Sequence, residues 1–332
     1  MKKSLGIGLL GMGVVGTGVA EVLAQKKDYL ESLVGRPLSV EQVLVKDLTK
    51  ARSVKLSQDL FTCRYNDILH NEDVDVIIEV IGGEQPAFDF ILKAIECGKH
   101  VVTANKEVMA KHGTAIMNAA REKGVRVLFE ASVAGAIPII GPLCRDLSAN
   151  AIINIYGIIN GTTNYILTKM DKETLGFNKA LSQAQSLGYA EADPSNDVEG
   201  IDAAYKLAIL STLAFGRIVK DTDVYCEGIT ELTTQDFIYA KELGYVIKLL
   251  AIANRHEDLI QVRVHPAFVR LEEMIGKVDG VLNAIEIETD LAGKVLFSGP
   301  GAGPFPTASA IVGDIVDLAI SINEKNGTNI PK

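Results

Sequence analysis

The stretch LGIGLLGMGVVG, residues 5–16, decides the fold of the first part of this 332-residue chain. Its first six residues form an apolar run typical of a buried strand, and a helical pattern over 14–33 follows the glycines directly. Gly11 permits the tight turn between them, Gly13 lets the backbone approach a pyrophosphate, and Gly16 lets the helix pack closely on the strand. Free N–H groups and the dipole at such a helix N-terminus attract phosphate. The stretch therefore predicts a dinucleotide site.

Outward from this stretch, short apolar runs continue to alternate with helical patterns as far as residue 130. The predicted strands lie at 5–10, 40–45, 74–80, 100–103 and 125–129, with predicted helices at 14–33, 86–97 and 107–123. Strands without regular polar alternation, separated by helices, are typical of a parallel sheet covered on both faces. With right-handed crossovers, residues 1–130 are predicted to form a Rossmann-type doubly wound α/β domain.

Beyond residue 130 the predicted strands become longer, and some of them follow each other without an intervening helix. The predicted helices lie at 136–147, 177–187, 198–216 and 234–243, and the predicted strands at 151–159, 246–254, 260–269, 281–288 and 294–298. This order predicts an α+β substrate-binding and dimerisation domain with a mixed sheet over 131–303. A last apolar helix at about 304–325 is expected to pack back on the first domain, and no C-terminal regulatory domain is expected. Long strands leave edges that pairing would cover, so the sequence favours a C2 homodimer.

The composition of the chain narrows its partners and its compartment. The formal net charge is −9, which disfavours nucleic acid and anionic membranes as partners. The four cysteines are widely spaced and form no CxxC pair, which argues against a zinc site or a disulfide framework. No uncharged apolar run is long enough to span a bilayer, and no signal-peptide cleavage site follows the N-terminus. Together these features predict a cytoplasmic globular protein.

The end of the second predicted strand bears on the choice of cofactor. An acidic residue at this point binds the ribose hydroxyls of NAD, and a basic residue receives the 2′-phosphate of NADP. The sequence offers Asp47 but also Lys46, Lys50 and Arg52, which favours NADP and leaves the use of NAD open. The residues that this reasoning places at the cofactor are Gly11, Gly13, Val14, Val15, Gly16 and Lys46.

A second informative stretch, 191–206, places five carboxylates and one lysine in front of the apolar run 207–215. Asp202 and Lys206 are four residues apart and so share one face of a helix, and Asp197 is placed to N-cap that helix. Charges on so apolar a helix are costly unless they are paired or line a wet cleft. The pattern therefore favours Lys206 as a general acid or base oriented by Asp202, over a helix cap with an ordinary surface pair.

The segment NGTTN, residues 160–164, follows a predicted strand. Its amide and hydroxyl groups, on a flexible backbone, suit a ligand that bears a carboxylate. A turn followed by a helix cap explains the same residues equally well. The sequence leaves both interpretations open.

Taken together, these residues resemble homoserine dehydrogenases. The segments that carry the resemblance are GMGVVG at 11–16, TANK at 103–106, FEASVAG at 129–135, NGTTN at 160–164, GYAEADP at 188–194 and GPGAG at 299–303, together with Lys206. The glycine fingerprint is common to many dinucleotide-binding proteins, whereas the segment from Glu191 to Lys206 is specific to this family. The resemblance implies NAD(P)-dependent interconversion of L-homoserine and L-aspartate 4-semialdehyde, on the pathway to threonine, methionine and isoleucine.

The resemblance also implies roles for individual residues. Lys206 would be the proton donor, Asp202 would stand beside the substrate hydroxyl, and Lys106 would lie between cofactor and substrate. The residues implied in the amino-acid site are Glu191, Asp197, Thr162 and Gly161. The further residues implied near the cofactor are Thr103, Gly301 and Gly303.

The family binds a monovalent cation as well, which implies a Na⁺ or K⁺ site in this chain. Its ligands are implied to be the carboxylate of Glu130 and the backbone carbonyls of Val133, Gly135 and Ile137. A carboxylate combined with carbonyl oxygens is a donor set that suits a hard cation.

Two other functions remain open from the residues alone. An aspartate-semialdehyde dehydrogenase would need a nucleophilic cysteine in an electropositive site, and Cys144 beside Arg145 is the candidate. A phosphate-dependence assay would distinguish that enzyme. A non-catalytic dinucleotide-sensing protein would keep the glycines but would have no use for both Asp202 and Lys206, and turnover of NAD(P)H would exclude it.

Overall fold

The structure is a computed structural model that describes residues 4–52, 54 and 56–325. Its strands are β1 Leu5–Leu10, β2 Leu38–Leu44, β3 Phe61–Thr62, β4 Val76–Glu79, β5 His100–Thr103, β6 Val127–Leu128, β7 Ile152–Ile158, β8 Tyr225–Cys226, β9 Tyr245–His256, β10 Leu259–Arg270, β11 Leu282–Thr289 and β12 Gly293–Pro300. Its helices are α1 Val14–Gln25, α2 Lys27–Val34, α3 Tyr65–Leu69, α4 Ala87–Glu96, α5 Lys106–Lys123, α6 Gly161–Glu173, α7 Phe177–Ser186, α8 Ser195–Val198, α9 Ile201–Phe215, α10 Thr234–Glu242 and α11 Pro304–Lys325.

The chain divides into two compact units, residues 1–136 with 303–332 and residues 137–302. The strands of the first unit form a parallel sheet in the order β3-β2-β1-β4-β5-β6. This order and direction are those of a Rossmann sheet, which confirms the predicted doubly wound fold. Every residue of β1 is buried, as expected for a central strand covered on both faces.

The last helix, α11, belongs to the first unit although it is distant from it in sequence. Ala308, Ile311, Ile315 and Leu318 are fully buried in the same apolar cluster as residues of β1 and β4. By length and composition alone, residues 304–323 could also cross a membrane, with a mean hydropathy of 1.5. The core of a folded domain accounts for this apolar character, because the same side chains are buried against the sheet.

The second unit is built on a mixed sheet in the order β12-β11-β7-β9-β10-β8. Neighbouring strands are antiparallel, apart from β8, which runs parallel to β10. This confirms the predicted mixed sheet. Ile158, at the end of β7, is buried in the core of this unit with Leu250 and Ile252 of β9. Since α6 begins at Gly161, the buried end of β7 leads almost directly into a helix.

Two of the predicted helices are broken in the structure. The predicted helix at 14–33 divides at Lys26, which has φ −106° and ψ 17° and so leaves the helical conformation. The predicted helix at 198–216 divides at Gly200, which has a φ of 83°. Apolar periodicity continues through both breaks, so the pattern of hydrophobic residues does not reveal them.

The predicted helix at 136–147 is wrong in extent. The structure has a short π-helical turn at Pro142–Asp146. Pro138 and Pro142 each remove a backbone N–H donor, so an α-helix over the whole range could not complete its hydrogen bonds. The segment 160–164 begins α6, which confirms the helix cap, whereas a ligand role for the same residues stays a prediction.

Candidate active site

Asn160 connects β7 to α6 and is 6% exposed. Its side-chain oxygen accepts a hydrogen bond from the backbone N–H of Thr163 at 2.9 Å, which makes it the N-cap of α6. Its side-chain nitrogen donates to Asp197 Oδ1 at 2.7 Å and to Asp202 Oδ2 at 2.9 Å. One buried amide therefore fixes the start of a helix and also holds two carboxylates together.

Lys206 lies one helical turn after Asp202 on α9, as the spacing predicts. Its Nζ donates to Asp202 Oδ2 at 2.6 Å and to the backbone carbonyl of Ile159 at 2.8 Å. The side chain of Lys206 is 12% exposed and that of Asp202 is 5% exposed. The position of the ammonium is thus fixed by a carboxylate and by a carbonyl of the β7–α6 connection.

Asp197 belongs to this cluster, but it is not the helix cap that the sequence predicts. It lies in α8, and the N-cap position of α9 is taken by Gly200, whose left-handed backbone lets the chain turn between the two helices. Burial raises the pKa of the Asp197 carboxyl, the Asn160 hydrogen bond lowers it and the Asp202 charge raises it, and the net pKa is above its usual value. Two ionised carboxylates beside one ammonium carry a net negative charge, so the cluster can bind a further positively charged group.

The other residues of the predicted amino-acid site lie near the first turn of α6 or in the exposed segment that follows α7. Thr162 Oγ1 donates to the backbone carbonyl of Tyr189 at 2.6 Å, which ties α6 to that segment. A Cβ on Gly161 would lie 2.7 Å from the carbonyl oxygen of Val281, so the close approach requires glycine. The side chain of Glu191 is exposed and lies outside the buried cluster.

In the first unit, the glycine fingerprint has the geometry expected of a phosphate-binding turn. Gly11 has a φ of 102°, and a Cβ on Gly16 would lie 2.1 Å from the Gly11 carbonyl oxygen, so both positions require glycine. A Cβ on Gly13 would meet no described atom within 4 Å. Val14 is 68% exposed and Val15 packs against the core, so the N-terminus of α1 borders open space. A pyrophosphate would be held there.

Beyond β2, the acidic and basic residues have different surroundings. Asp47 Oδ1 accepts hydrogen bonds from the backbone N–H and the hydroxyl of Thr49 at 2.8 and 2.7 Å. The hydroxyl bond is the main cause that holds the pKa of Asp47 below its usual value. Lys46 and Lys50 are exposed, and Arg52 donates to the Lys50 carbonyl at 2.8 Å. The Asp47 carboxylate is therefore engaged in its own turn, with Lys46, Lys50 and Arg52 nearby in sequence.

The segment TANK ends β5 and begins α5. Thr103 is fully buried, and its Oγ1 donates to Oε2 of the fully buried Glu79 at 2.6 Å. Asn105 N-caps α5 by accepting from the backbone N–H of Val108 at 3.1 Å. Lys106 is the first residue of α5 and is half-buried. This unit thus carries the predicted cofactor residues Thr103 and Lys106 at the carboxyl end of β5.

Sequence reasoning named Asn160 only as part of the NGTTN segment, without its contacts to the two carboxylates, and did not identify Glu79. Both stand where an apolar strand ends, Asn160 after the buried end of β7 and Glu79 as the last residue of VIIE in β4. Both could have been predicted from one sequence signal, a polar residue at the carboxyl end of an apolar strand.

The glycines at 301 and 303 are each required by local geometry. A Cβ on Gly301 would lie 2.0 Å from Asn283 Nδ2. Gly303 has a φ of 125°, which only glycine adopts without strain. These requirements explain the residue type at both positions without reference to a cofactor.

The region of the predicted cation ligands combines two carboxyl groups with buried backbone. Glu130 begins a short 3₁₀ turn, and its backbone N–H donates to Asp314 Oδ2 at 2.9 Å. Burial above all raises the pKa of Asp314 to about 7, and the Glu130 charge adds to it. Val133, Gly135 and Ile137 are buried. Within residues 4–52, 54 and 56–325, no group of three or more His, Cys, Asp or Glu could hold a metal ion.

The cysteine considered for a covalent mechanism lies beside an ion pair. Cys144 is exposed and lies in the π-helical turn. The neighbouring Arg145 pairs with the carboxylate of Asp146 at 3.2 Å. A local carboxylate therefore offsets the positive charge that could activate the thiol.

Comparison with known proteins covers nearly the whole chain. The family model for homoserine dehydrogenase matches residues 138–316, and the model for the homoserine dehydrogenase NAD binding domain matches residues 11–130. Homoserine dehydrogenase from Synechocystis is 47% identical over 316 residues, which are 94% of this chain and 72% of that protein.

Solved structures agree with these matches. A homoserine dehydrogenase from Thiobacillus denitrificans superposes with a TM-score of 0.94 at 46% identity, covering 99% of this chain and 76% of that one. A hyperthermophilic archaeal homoserine dehydrogenase in complex with NADPH superposes with a TM-score of 0.81 at 27% identity, covering 96% and 98%. The chain therefore belongs to the homoserine dehydrogenase family.

Proposed function

We propose that Lys206, held by Asp202, exchanges the proton in the interconversion of L-homoserine and L-aspartate 4-semialdehyde. The family makes the chain an NAD(P)-dependent oxidoreductase acting on a CH–OH group, and it supports neither of the two alternative functions. The observation that carries the proposed role is the nearly buried Lys206 ammonium, bonded to Asp202 at 2.6 Å and to a backbone carbonyl.

The proton chemistry follows from the charge of Lys206. Bound NAD(P) supplies or accepts the hydride at the reacting carbon. In the reductive direction the Lys206 ammonium donates its proton to the aldehyde oxygen, so a hydroxyl forms and the amine is left neutral. In the oxidative direction the neutral amine takes the hydroxyl proton. Asp202 stabilises the ammonium form. Lys106, at the start of α5, is the second candidate for this proton.

The rest of the cluster suits the amino-acid part of the substrate. The Asp197 carboxylate, steadied by Asn160, is a partner for the substrate ammonium. Glu191 supplies a second carboxylate from the exposed segment after α7. Gly161 and Thr162 open α6, and the N–H groups and dipole of a helix start favour the substrate carboxylate.

NADP is the proposed preferred cofactor, with NAD as an alternative. The open turn at Gly13 would hold the pyrophosphate, with Thr103, Lys106, Gly301 and Gly303 also at the cofactor. The engagement of the Asp47 carboxylate by Thr49 and the exposure of the nearby lysines support recognition of a 2′-phosphate.

The cofactor preference can be tested at Lys46. We expect Lys46→Ala to raise the KM for NADPH about tenfold, because it removes a cation beside the phosphate, and to leave the KM for NADH unchanged. Lys27→Ala, which removes another exposed lysine, is the matched control. Equal effects on the two cofactors would contradict the proposed 2′-phosphate contact.

A monovalent cation, Na⁺ or K⁺, is proposed at Glu130 and the carbonyls of Val133, Gly135 and Ile137. The crowding of Glu130 and Asp314 carboxyl groups in a buried region supports it, because a cation would offset their repulsion. The unfolding temperature should rise in NaCl or KCl relative to choline chloride at equal ionic strength, and Glu130→Gln should abolish the difference.

A homodimer is proposed through the second unit. Its support is exposed apolar surface on the strands of that unit, such as Phe268, which is 58% exposed. Light scattering on the purified chain measures the state directly. A monomeric mass at micromolar concentration would contradict it.

The direct test of the reaction is turnover of NADPH with L-aspartate 4-semialdehyde in phosphate-free buffer. We expect oxidation of NADPH and, in the reverse direction, reduction of NADP⁺ with L-homoserine. Reduction of NADP⁺ with the semialdehyde that requires phosphate would indicate an aspartate-semialdehyde dehydrogenase. Binding of NADPH without any turnover would indicate a sensor.

A further inference from the structure

Glu79 is a fully buried carboxylate at the centre of the parallel sheet. It ends β4, where it lies in register with Leu10 of β1 on one side and with Thr103 of β5 on the other. The strand order β3-β2-β1-β4-β5-β6 reverses its direction of growth between β1 and β4. Dinucleotides bind outside the carboxyl ends of the strands at such a reversal, so Glu79 stands beneath the expected position of the cofactor.

Three hydrogen bonds attach this carboxylate to two different loops. Oε1 accepts from the backbone N–H groups of Ile81 and Gly82 at 2.8 and 3.3 Å, and Oε2 accepts from Thr103 Oγ1 at 2.6 Å. The first two bonds shape the loop after β4. The third fixes the residue that ends β5. Glu79 therefore determines how the ends of two neighbouring strands lie relative to each other.

Further hydrogen bonds lead from Thr103 through Asn105 back to the loop after β4. Thr103 Oγ1 accepts from the backbone N–H of Asn105 at 3.0 Å, and Asn105 Nδ2 donates to the carbonyl of Gly83 at 2.8 Å. The loop after β4 and the loop after β5 are thus joined twice, once through Glu79 and once through Asn105. A change at Glu79 should be felt in both loops.

A carboxylate matches these partners better than an amide of the same shape. The groups around Glu79 act as donors toward it, and an ionised carboxylate accepts at both oxygens. A glutamine would turn its NH₂ group toward the two backbone N–H groups or toward the hydroxyl of Thr103. Burial raises the pKa of Glu79 and its hydrogen bonds, that from Thr103 first, lower it; burial prevails, so the net pKa is above its usual value. Burying a carboxyl group costs free energy. Its hydrogen bonds to the two loops offset this cost, so the position of the loops depends on them.

We propose that Glu79 is a positioning residue for the nicotinamide half of the cofactor, acting through Thr103 and the loop at 81–83. The second half of a Rossmann sheet, β4 to β6, binds that half of a dinucleotide, whereas β1 to β3 bind the adenosine half. The inference rests on the proposed role of Thr103 at the cofactor. It predicts that Glu79 affects the two halves of the cofactor unequally.

The test compares two ligands on the Glu79→Gln variant of the chain. Fluorescence titration should give a Kd for NADPH about tenfold weaker than that of the wild-type chain, because a hydrogen bond to a buried carboxyl group is lost. The Kd for adenosine 2′,5′-bisphosphate, which lacks the nicotinamide half, should change less than twofold. Equal weakening of both ligands would show a general structural defect, and no weakening would show no role; either result overturns the proposal.

Controls separate this proposal from the proposed function. Glu96→Gln, a change of an exposed glutamate at the end of α4, should alter neither Kd. Should wild-type chain fail to bind NADPH, the cofactor site itself is wrong and the proposal falls with it. If wild type binds and Glu79→Gln binds equally well, only the role of Glu79 is lost.

A second variant decides the matter should Glu79→Gln not fold. Thr103→Val keeps the shape of the side chain and removes the hydroxyl that joins the loops. We expect it to weaken NADPH about tenfold and to spare adenosine 2′,5′-bisphosphate. In the double variant the two losses should not add, because both break the same bond. Additive losses, or an unchanged Kd for Thr103→Val, would contradict the proposal.

Discussion

At the scale of single residues, the chemistry of the candidate site depends on how Asn160 divides its hydrogen bonds. Its oxygen caps α6 and its nitrogen bridges Asp197 and Asp202. Without this amide the two carboxylates would repel each other with no shared donor. Asn160 thus keeps Asp202 beside Lys206 and holds Asp197 where we propose that it binds the substrate ammonium.

A change of Asn160 should therefore move the pH dependence of substrate binding. Asp197 must be ionised to hold an ammonium, so affinity is lost as the pH falls through its pKa, which already lies above the usual value. The Asn160 hydrogen bond lowers that pKa, so Asn160→Ala should raise it further. The acid limb of the KM profile for L-homoserine should move to higher pH, and kcat/KM at neutral pH should fall about ten- to a hundredfold.

The control for this prediction is Asn178→Ala, an exposed asparagine in α7 whose loss should leave the profile unchanged. An acid limb that stays in place in Asn160→Ala, or that moves to lower pH, would contradict the assignment of Asp197.

The sequence predicts the pair Asp202 and Lys206 but not the contacts of Asn160, because only the pair is close in sequence. The pair Asp202 and Lys206 is local, since one helical turn separates its members. Asn160 meets Asp197 and Asp202 from 37 and 42 residues away. Which distant side chains converge depends on tertiary packing, which local spacing does not encode.

At the scale of elements, α1 and α11 approach so closely that one glycine is required between them. A Cβ on Gly18 would lie 2.6 Å from the carbonyl oxygen of Pro304. We expect Gly18→Ala to lower the free energy of unfolding by about 1–3 kcal/mol, because a backbone must shift to admit the methyl group. Urea denaturation followed by circular dichroism measures it.

The matched control lies on the other helix of the pair. Gly313 is exposed in α11, and a Cβ there would meet no described atom within 4 Å. Gly313→Ala should stabilise the chain by about 0.5–1 kcal/mol, through helix propensity alone. A Gly18→Ala variant as stable as Gly313→Ala would contradict the close approach of the two helices at Gly18.

Elements with a clear apolar pattern were predicted well, and α6 shows why others were not. The strand at 5–10 is predicted with its observed bounds. Helix α6 buries Thr162, Thr163 and Asn164 beside apolar residues, so polarity along its sequence does not follow exposure. Asn164 is satisfied by the carbonyls of Val278 and Leu282, which only the folded chain brings near.

At the scale of the whole molecule, the two sheets differ in how far the sequence determines them. In the first unit, alternation of strands and helices fixes parallel pairing, and the crossover rule limits the order. In the second unit, β7 pairs with β9 and β11, so Tyr156 stands opposite Ile252 and Glu286. Such pairing between distant strands leaves no local pattern, so a mixed sheet could be predicted but not its order.

The whole account depends on the proton that Lys206 carries, and turnover of Lys206→Ala with L-aspartate 4-semialdehyde and NADPH tests it most directly. We expect kcat to fall at least about a hundredfold, as for a lost general acid, with the Kd for NADPH unchanged. Lys169→Ala, which removes another lysine paired with a carboxylate four residues away, should keep its activity. A Lys206→Ala variant with kcat close to that of the wild-type chain would contradict the account.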